Sequence, residues 1–121
     1  MARIQIVHES VVAQETDAIV NAANGTMLGG GGVDGEPEQL KRCYLGCLEK
    51  ANAAGCKSVA FCCISTGIYG YPLDAATRIA ITTVREWLDA HNSNMLVKFC
   101  CFTDREYSCY QRIAEELGIY G

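Results

Sequence analysis

Residues 58–72 read SVAFCCISTGIYGYP. Ser58 to Ile64 is a run apolar on both of its alternating faces, which fits a strand buried between layers. A loop with two glycines and two hydroxyl residues follows, Ser65 to Tyr71, and Pro72 then opens a helix. Downstream, the stretch to Ala90 carries Ile79, Ala80, Val84, Trp87 and Leu88 at helical spacing, and Met95 to Phe102 is a second buried strand. Thr103 and Glu106 stand at capping-box spacing before a last helix that turns Tyr110, Ile113, Ala114 and Leu117 inward and stops at Gly118. Upstream, Glu38 to Ala54 places Leu40, Cys43, Cys47, Leu48 and Ala51 on one helical face, with Gly55 as the stop. Asp17 to Ala23 is a short apolar strand, and in residues 2–7 Ile4 and Ile6 share a face. Apolar strands alternating with helices predict one α/β domain over residues 1–121, with a sheet covered on both faces.

Composition narrows the class. A chain of 121 residues, half of them apolar and with a net charge of −4, is long enough for a core and too apolar for disorder. Fourteen acidic against ten basic residues argue against broad capture of nucleic acid. No apolar run reaches the ~18 residues of a membrane span, and the opening MARIQIVHES is too polar for a signal peptide. A soluble cytoplasmic monomer, without membrane or sequence-specific nucleic-acid partners, is the expectation. The eight cysteines, at 43, 47, 56, 62, 63, 100, 101 and 109, form no C-x-x-C pair, and neither His8 nor His91 stands at zinc-finger spacing from them. Free buried thiols acting as small apolar side chains, with no metal, are expected.

Two glycine-bearing segments could carry chemistry. Gly29 to Gly32 cannot be an element interior, so the run is either a slack surface loop or a backbone that passes close to a ligand. It follows a strand ending in Asn21 and Asn24 and leads into Asp34, an arrangement suited to a phosphate together with a hydroxylated group. The loop after Ile64 is either an ordinary strand-to-helix turn or a diphosphate cradle made of backbone amides. No Lys follows its glycines, so it is not a P-loop.

Taken together, DAIVNAAN, LGGGGVDG and ISTGIYGYP, in that order, resemble the macrodomains, the ADP-ribose-binding modules, over most of the chain. The likeness is to the branch that removes ADP-ribose from proteins or deacetylates O-acetyl-ADP-ribose. It implies a three-layer α/β/α sandwich with a mostly parallel, mixed sheet and no cofactor. Catalytic roles fall on Asn24, which would hold the distal ribose, and on Asp34, which would orient or deprotonate the attacking water. The implied ligand-binding set is Ser10, Val11, Ala23, Gly31, Gly32, Val33, Ser65, Thr66, Gly67, Ile68, Tyr69, Gly70 and Phe102. Tyr69 would wall the distal ribose and Phe102 would pack on adenine. The plainer alternatives, Asp34 as a helix N-cap and Asn24 as a turn residue, are outweighed by the motif as a whole.

The sequence departs from the family pattern twice. Where relatives carry a Gly-Asp-Ile-Thr turn, this chain has Glu9-Ser10-Val11-Val12, so Ser10 stands in place of the aspartate that binds the adenine amino group. After Gly35 the chain passes at once to Glu36-Pro37-Glu38, and a helix and a strand of the family pattern, roughly 30–50 residues, are missing. Because losing a buried strand exceeds a domain's marginal stability, an omitted segment is favoured over a minimal form. Three functional readings follow: a hydrolase of ester-linked ADP-ribose, a non-catalytic ADP-ribose reader, and a scaffold with a dead cleft.

Overall fold

The computed structural model describes residues 3–20, 37–62 and 72–119. Four strands, β1 (Ile4–Val7), β2 (Ala18–Val20), β3 (Ser58–Cys62) and β4 (Leu96–Cys100), alternate with three helices, α1 (Pro37–Ala53), α2 (Leu73–Ala90) and α3 (Asp104–Glu116). The strands lie in the order β1-β4-β3-β2, and every pairing among the described residues is parallel. At the amino end of the sheet Asp17 ties β2 to β3. Its carboxylate accepts from Lys57 N at 2.7 Å, and its own N–H donates to Ser58 Oγ at 2.9 Å.

Register sorts the side chains by face. Ile4, Val97, Val59 and Ala18 form one cross-strand row, and Ile6, Phe99, Phe61 and Val20 form the next on the same side. These rows share one core with Leu40, Tyr44 and Leu48 of α1, Ala80, Ile81, Val84 and Leu88 of α2, and Tyr110 and Ile113 of α3. Rings run across it from α1 to α3, with Tyr44–Phe61 at 5.0 Å, Phe61–Phe99 at 6.0 Å and Phe99–Tyr110 at 5.4 Å. Each such pair adds about 0.5–1.5 kcal/mol beyond the area it buries. The crossover helices α1, from β2 to β3, and α2, from β3 to β4, lie on this face, as right-handed connections moving one way along a parallel sheet require, and α3 packs beside α2 through Tyr110 and Ile113.

The opposite face is different. Its central row is Gln5, Lys98, Ala60 and Ile19. Lys98 Nζ reaches Gln14 Oε1 at 3.5 Å, just beyond the 3-10 turn Val11–Ala13 that sits against this side. Ile19 is 37% exposed. Among the described residues, the three helices lie on one face of the sheet and the short turn on the other. A lysine in a central strand requires a wet edge for its head group.

Sequence and structure differ in detail elsewhere. Pro72 is the N-cap of α2 rather than its first helical residue. Ile81 is fully buried while Ile79 is half-buried, because 81 shares a face with 77, 84 and 88. Tyr44, absent from the expected α1 stripe, is fully buried. Gly55 and Gly118 take the left-handed φ values +79° and +75° that terminate α1 and α3. The ends of α2 and α3 are clamped by Arg112 to Asp74 at 3.0 Å and by an Arg78–Glu116 pair. Cys109 Sγ donates to Asp74 Oδ1 at 3.2 Å within the same cluster.

Candidate ligand site at the carboxyl edge of the sheet

Because all four strands are parallel, their carboxyl ends lie along one edge, where open α/β sheets bind ligands. β1 leaves through His8–Gln14, β4 through Cys101–Thr103, β2 into residues 21–36 and β3 into residues 63–71. Cys101 N donates to Val7 O at 2.8 Å, which holds the exits of β1 and β4 side by side.

The described part of this edge is built around the start of α3. Thr103 Oγ1 accepts from Glu106 N at 3.1 Å, and Glu106 Oε1 accepts from Thr103 N at 3.1 Å and Phe102 N at 2.9 Å. This is the capping box the spacing predicts. Its usual companion is an apolar contact between the residues at 102 and 107. Here Tyr107 stacks instead on His8, with centroids 5.1 Å apart and ring planes at 18°. Phe102 makes no ring contact among the described residues and is 79% exposed. It and Ile19 are the exposed large apolar side chains there. His8 Nε2 lies 3.5 Å from Asp104 Oδ1, and Gln111 Nε2 donates to the Tyr107 hydroxyl at 2.9 Å.

On the neighbouring exit Ser10 precedes, and Val11 begins, the 3-10 turn. Ser10 O accepts from Ala13 N at 3.1 Å and from Gln14 Nε2 at 3.2 Å. Gln14, 9% exposed, also donates to Glu9 Oε1 at 2.9 Å and joins this turn to Lys98. A polar surface of this kind with one bare aromatic ring suits a flat, hydrogen-bonding ligand group.

The Macro domain family model matches residues 34–80. A Macro domain-containing protein of Chlorobaculum tepidum is 34% identical, the match covering 90% of this chain and 94% of that protein. The chain belongs to the macrodomain family. An O-acetyl-ADP-ribose deacetylase of Cronobacter turicensis is 32% identical, over 98% of this macrodomain and 97% of the relative. The crystal structure of the Trypanosoma brucei macrodomain in complex with ADP-ribose superposes with a TM-score of 0.80 at 32% identity, covering 93% of this chain and 69% of that one. The C. tepidum alignment is 161 positions long against 121 residues here, so at least 40 of its positions have no counterpart in this macrodomain.

Of the residues singled out from sequence, Ser10, Val11 and Phe102 fall within the described residues and share the carboxyl edge. Asn24, Asp34, Ala23, Gly31, Gly32, Val33, Ser65, Thr66, Gly67, Ile68, Tyr69 and Gly70 lie outside them. Sequence reading missed the His8–Tyr107 stack and the Gln14 bridge. Tyr107, on the fourth helical position after the cap, carried a signal only for a local apolar contact, and nothing in the sequence pointed to His8 as its partner. No group of three or more His, Cys, Asp or Glu side chains is disposed to hold a metal among the described residues. None of the seven described cysteines is in a disulfide. Cys43, Cys100, Cys101 and Cys109 are buried, but Cys47, Cys56 and Cys62 are only half-buried, contrary to the expectation of a uniformly buried set. Cys100 and Cys101 divide between the two faces, with Cys101 in the helical core. No helix of the described residues is long and apolar enough to cross a membrane.

Proposed function

We propose that this macrodomain binds ADP-ribose along the carboxyl edge of its sheet and hydrolyses ester-linked ADP-ribose, either on protein Asp and Glu residues or as O-acetyl-ADP-ribose. The observation that carries the proposal is that all four parallel strands exit at one edge, so the segments bearing the three family motifs depart from it or border it. The relatives named as O-acetyl-ADP-ribose deacetylases, and the ADP-ribose complex of a structural neighbour, support it.

In this reading the amides of residues 65–70 hold the diphosphate, Phe102 stacks on adenine, and Asn24 fixes the distal ribose hydroxyls. Asp34 orients or deprotonates a water beside the ribose carbon, which needs both a held sugar and a placed base. Base recognition loses the charge-assisted bond of a carboxylate at Ser10. In the same reading the segment missing from the family pattern falls between Gly35 and Glu36, just after Asp34. That placement favours a second reading, in which the chain binds ADP-ribose without cleaving it.

Release of ADP-ribose from an automodified acceptor protein distinguishes the two. Wild-type turnover should fall by a factor on the order of 10²–10⁴ in Asp34→Ala, with ADP-ribose affinity changed far less. Asn24→Ala should weaken both binding and turnover. Undiminished release in Asp34→Ala removes the proposed catalyst, and binding without release in the wild type makes the protein a reader.

A further inference from the structure

The geometry points to His8 as a positioning residue of the ligand edge: by stacking on Tyr107 it keeps the Phe102 ring out of the packing of its own helix start and presents it to a planar base. The inference rests on the reading that Phe102 receives adenine, and adds the residue that keeps that ring available. Phe102 precedes the α3 N-cap Thr103, and Tyr107 is the fourth helical residue after it. Apolar residues at these two positions ordinarily pack on each other as a staple across the cap. Both are aromatic here and the capping box is complete, yet Phe102 is 79% exposed.

Occupancy explains the missing staple. His8 arrives from the end of β1 and stacks on the Tyr107 ring, with centroids 5.1 Å apart and planes at 18°. The bond from Cys101 N to Val7 O fixes this arrival, because Val7 precedes His8 and Cys101 precedes Phe102. Further contacts hold both rings on α3. His8 Nε2 lies 3.5 Å from Oδ1 of Asp104, its first residue, and the Tyr107 hydroxyl accepts from Gln111 Nε2 at 2.9 Å. Phe102 is held through its backbone N–H, which donates to Glu106 Oε1 and leaves the ring its side-chain rotation. Without His8 the Tyr107 face is open, and a Phe102 ring folded onto it is lost to the ligand. A binding-competent state that is only partly populated raises the apparent dissociation constant by the inverse of its fraction.

Ring position and affinity can be read separately. In the ligand-free protein, nuclear Overhauser contacts between the Phe102 and Tyr107 rings should be absent in wild type and present in His8→Ala. By calorimetry His8→Ala should raise the ADP-ribose dissociation constant about 3- to 10-fold, and leave ribose 5-phosphate binding unchanged. His8→Phe, which keeps a ring on Tyr107, should restore affinity. The double variant His8→Ala/Tyr107→Ala removes the face on which Phe102 would settle and should also recover affinity, a rescue that a merely structural role for the stack does not allow. Tyr107→Gln replaces Tyr107→Ala in that pair if alanine unfolds the chain. Wild-type affinity in His8→Ala while Phe102→Ala binds weakly overturns the inference, as does a double variant that binds no better than His8→Ala. Wild-type affinity in Phe102→Ala overturns the adenine reading and this inference with it, so the two failures are distinct.

Discussion

Replacing Phe102 by Ala should weaken ADP-ribose binding and leave the fold intact, two effects that rarely separate for a phenylalanine. The ring is 79% exposed, and Phe102 is held through its backbone N–H, which donates to Glu106 Oε1 at 2.9 Å and survives the substitution. Truncation thus opens no cavity, and stability should stay within about 0.5 kcal/mol of wild type. A base stacked on an aromatic side chain contributes roughly 1–3 kcal/mol by alanine substitution. At ~1.4 kcal/mol per tenfold, the dissociation constant should rise roughly 5- to 150-fold. Titration calorimetry with ADP-ribose measures it, with ribose 5-phosphate as the ligand that lacks the base and should bind both proteins alike. Phe102→Trp should retain wild-type affinity. Unchanged ADP-ribose affinity in Phe102→Ala with an unchanged melting temperature would refute the assignment of this ring to the ligand.

Three further outcomes are expected. Thr103→Ala removes the acceptor for Glu106 N and should cost about 0.5–2 kcal/mol, read as a drop in melting temperature. The Asp74 carboxyl is held below the usual carboxylate range by its hydrogen bonds with Cys109 and then Arg112. Folding thus favours its ionised form, and the stabilisation is complete above that range and lost as pH falls through the lowered value. Asp74→Asn should lower the melting temperature near neutrality and leave it unchanged at acid pH, flattening the acid limb, with a small loss because the pair is exposed. Gly67→Glu should block ADP-ribose binding in the same calorimetric assay by filling and repelling the diphosphate position. Full affinity there would remove the loop from the site.

Much of the fold was legible because its elements announce themselves locally. Thr103 and Glu106 are three residues apart and close a capping box on themselves. Gly55 and Gly118 mark helix ends because few other residues tolerate a left-handed φ. The runs around Val59–Phe61 and Val97–Phe99 are strands whatever their neighbours, being apolar and β-prone. The motif segments likewise sit after strands in the linear order, which was enough to expect a ligand at the strand ends.

Strand order and side-chain facing were not local properties. The placement of β4 between β1 and β3 brings Val7 beside Cys101, and only that pairing sets the turn bearing Ser10 next to the exit bearing Phe102. Competition for one ring face decided the rest. His8, ninety-nine residues before Tyr107 in the sequence, takes the position that local helix-start chemistry would have given to Phe102 and leaves Phe102 bare. The same holds for Lys98, which in KFCC reads as one polar residue in a buried strand until register assigns it, with Gln5, to the face opposite the described helices. Sequence specifies which segments form because backbone propensity and capping act over a few residues. Which side chains are left for a ligand depends on long-range pairing, where each contact excludes another, and the tertiary structure alone decided it.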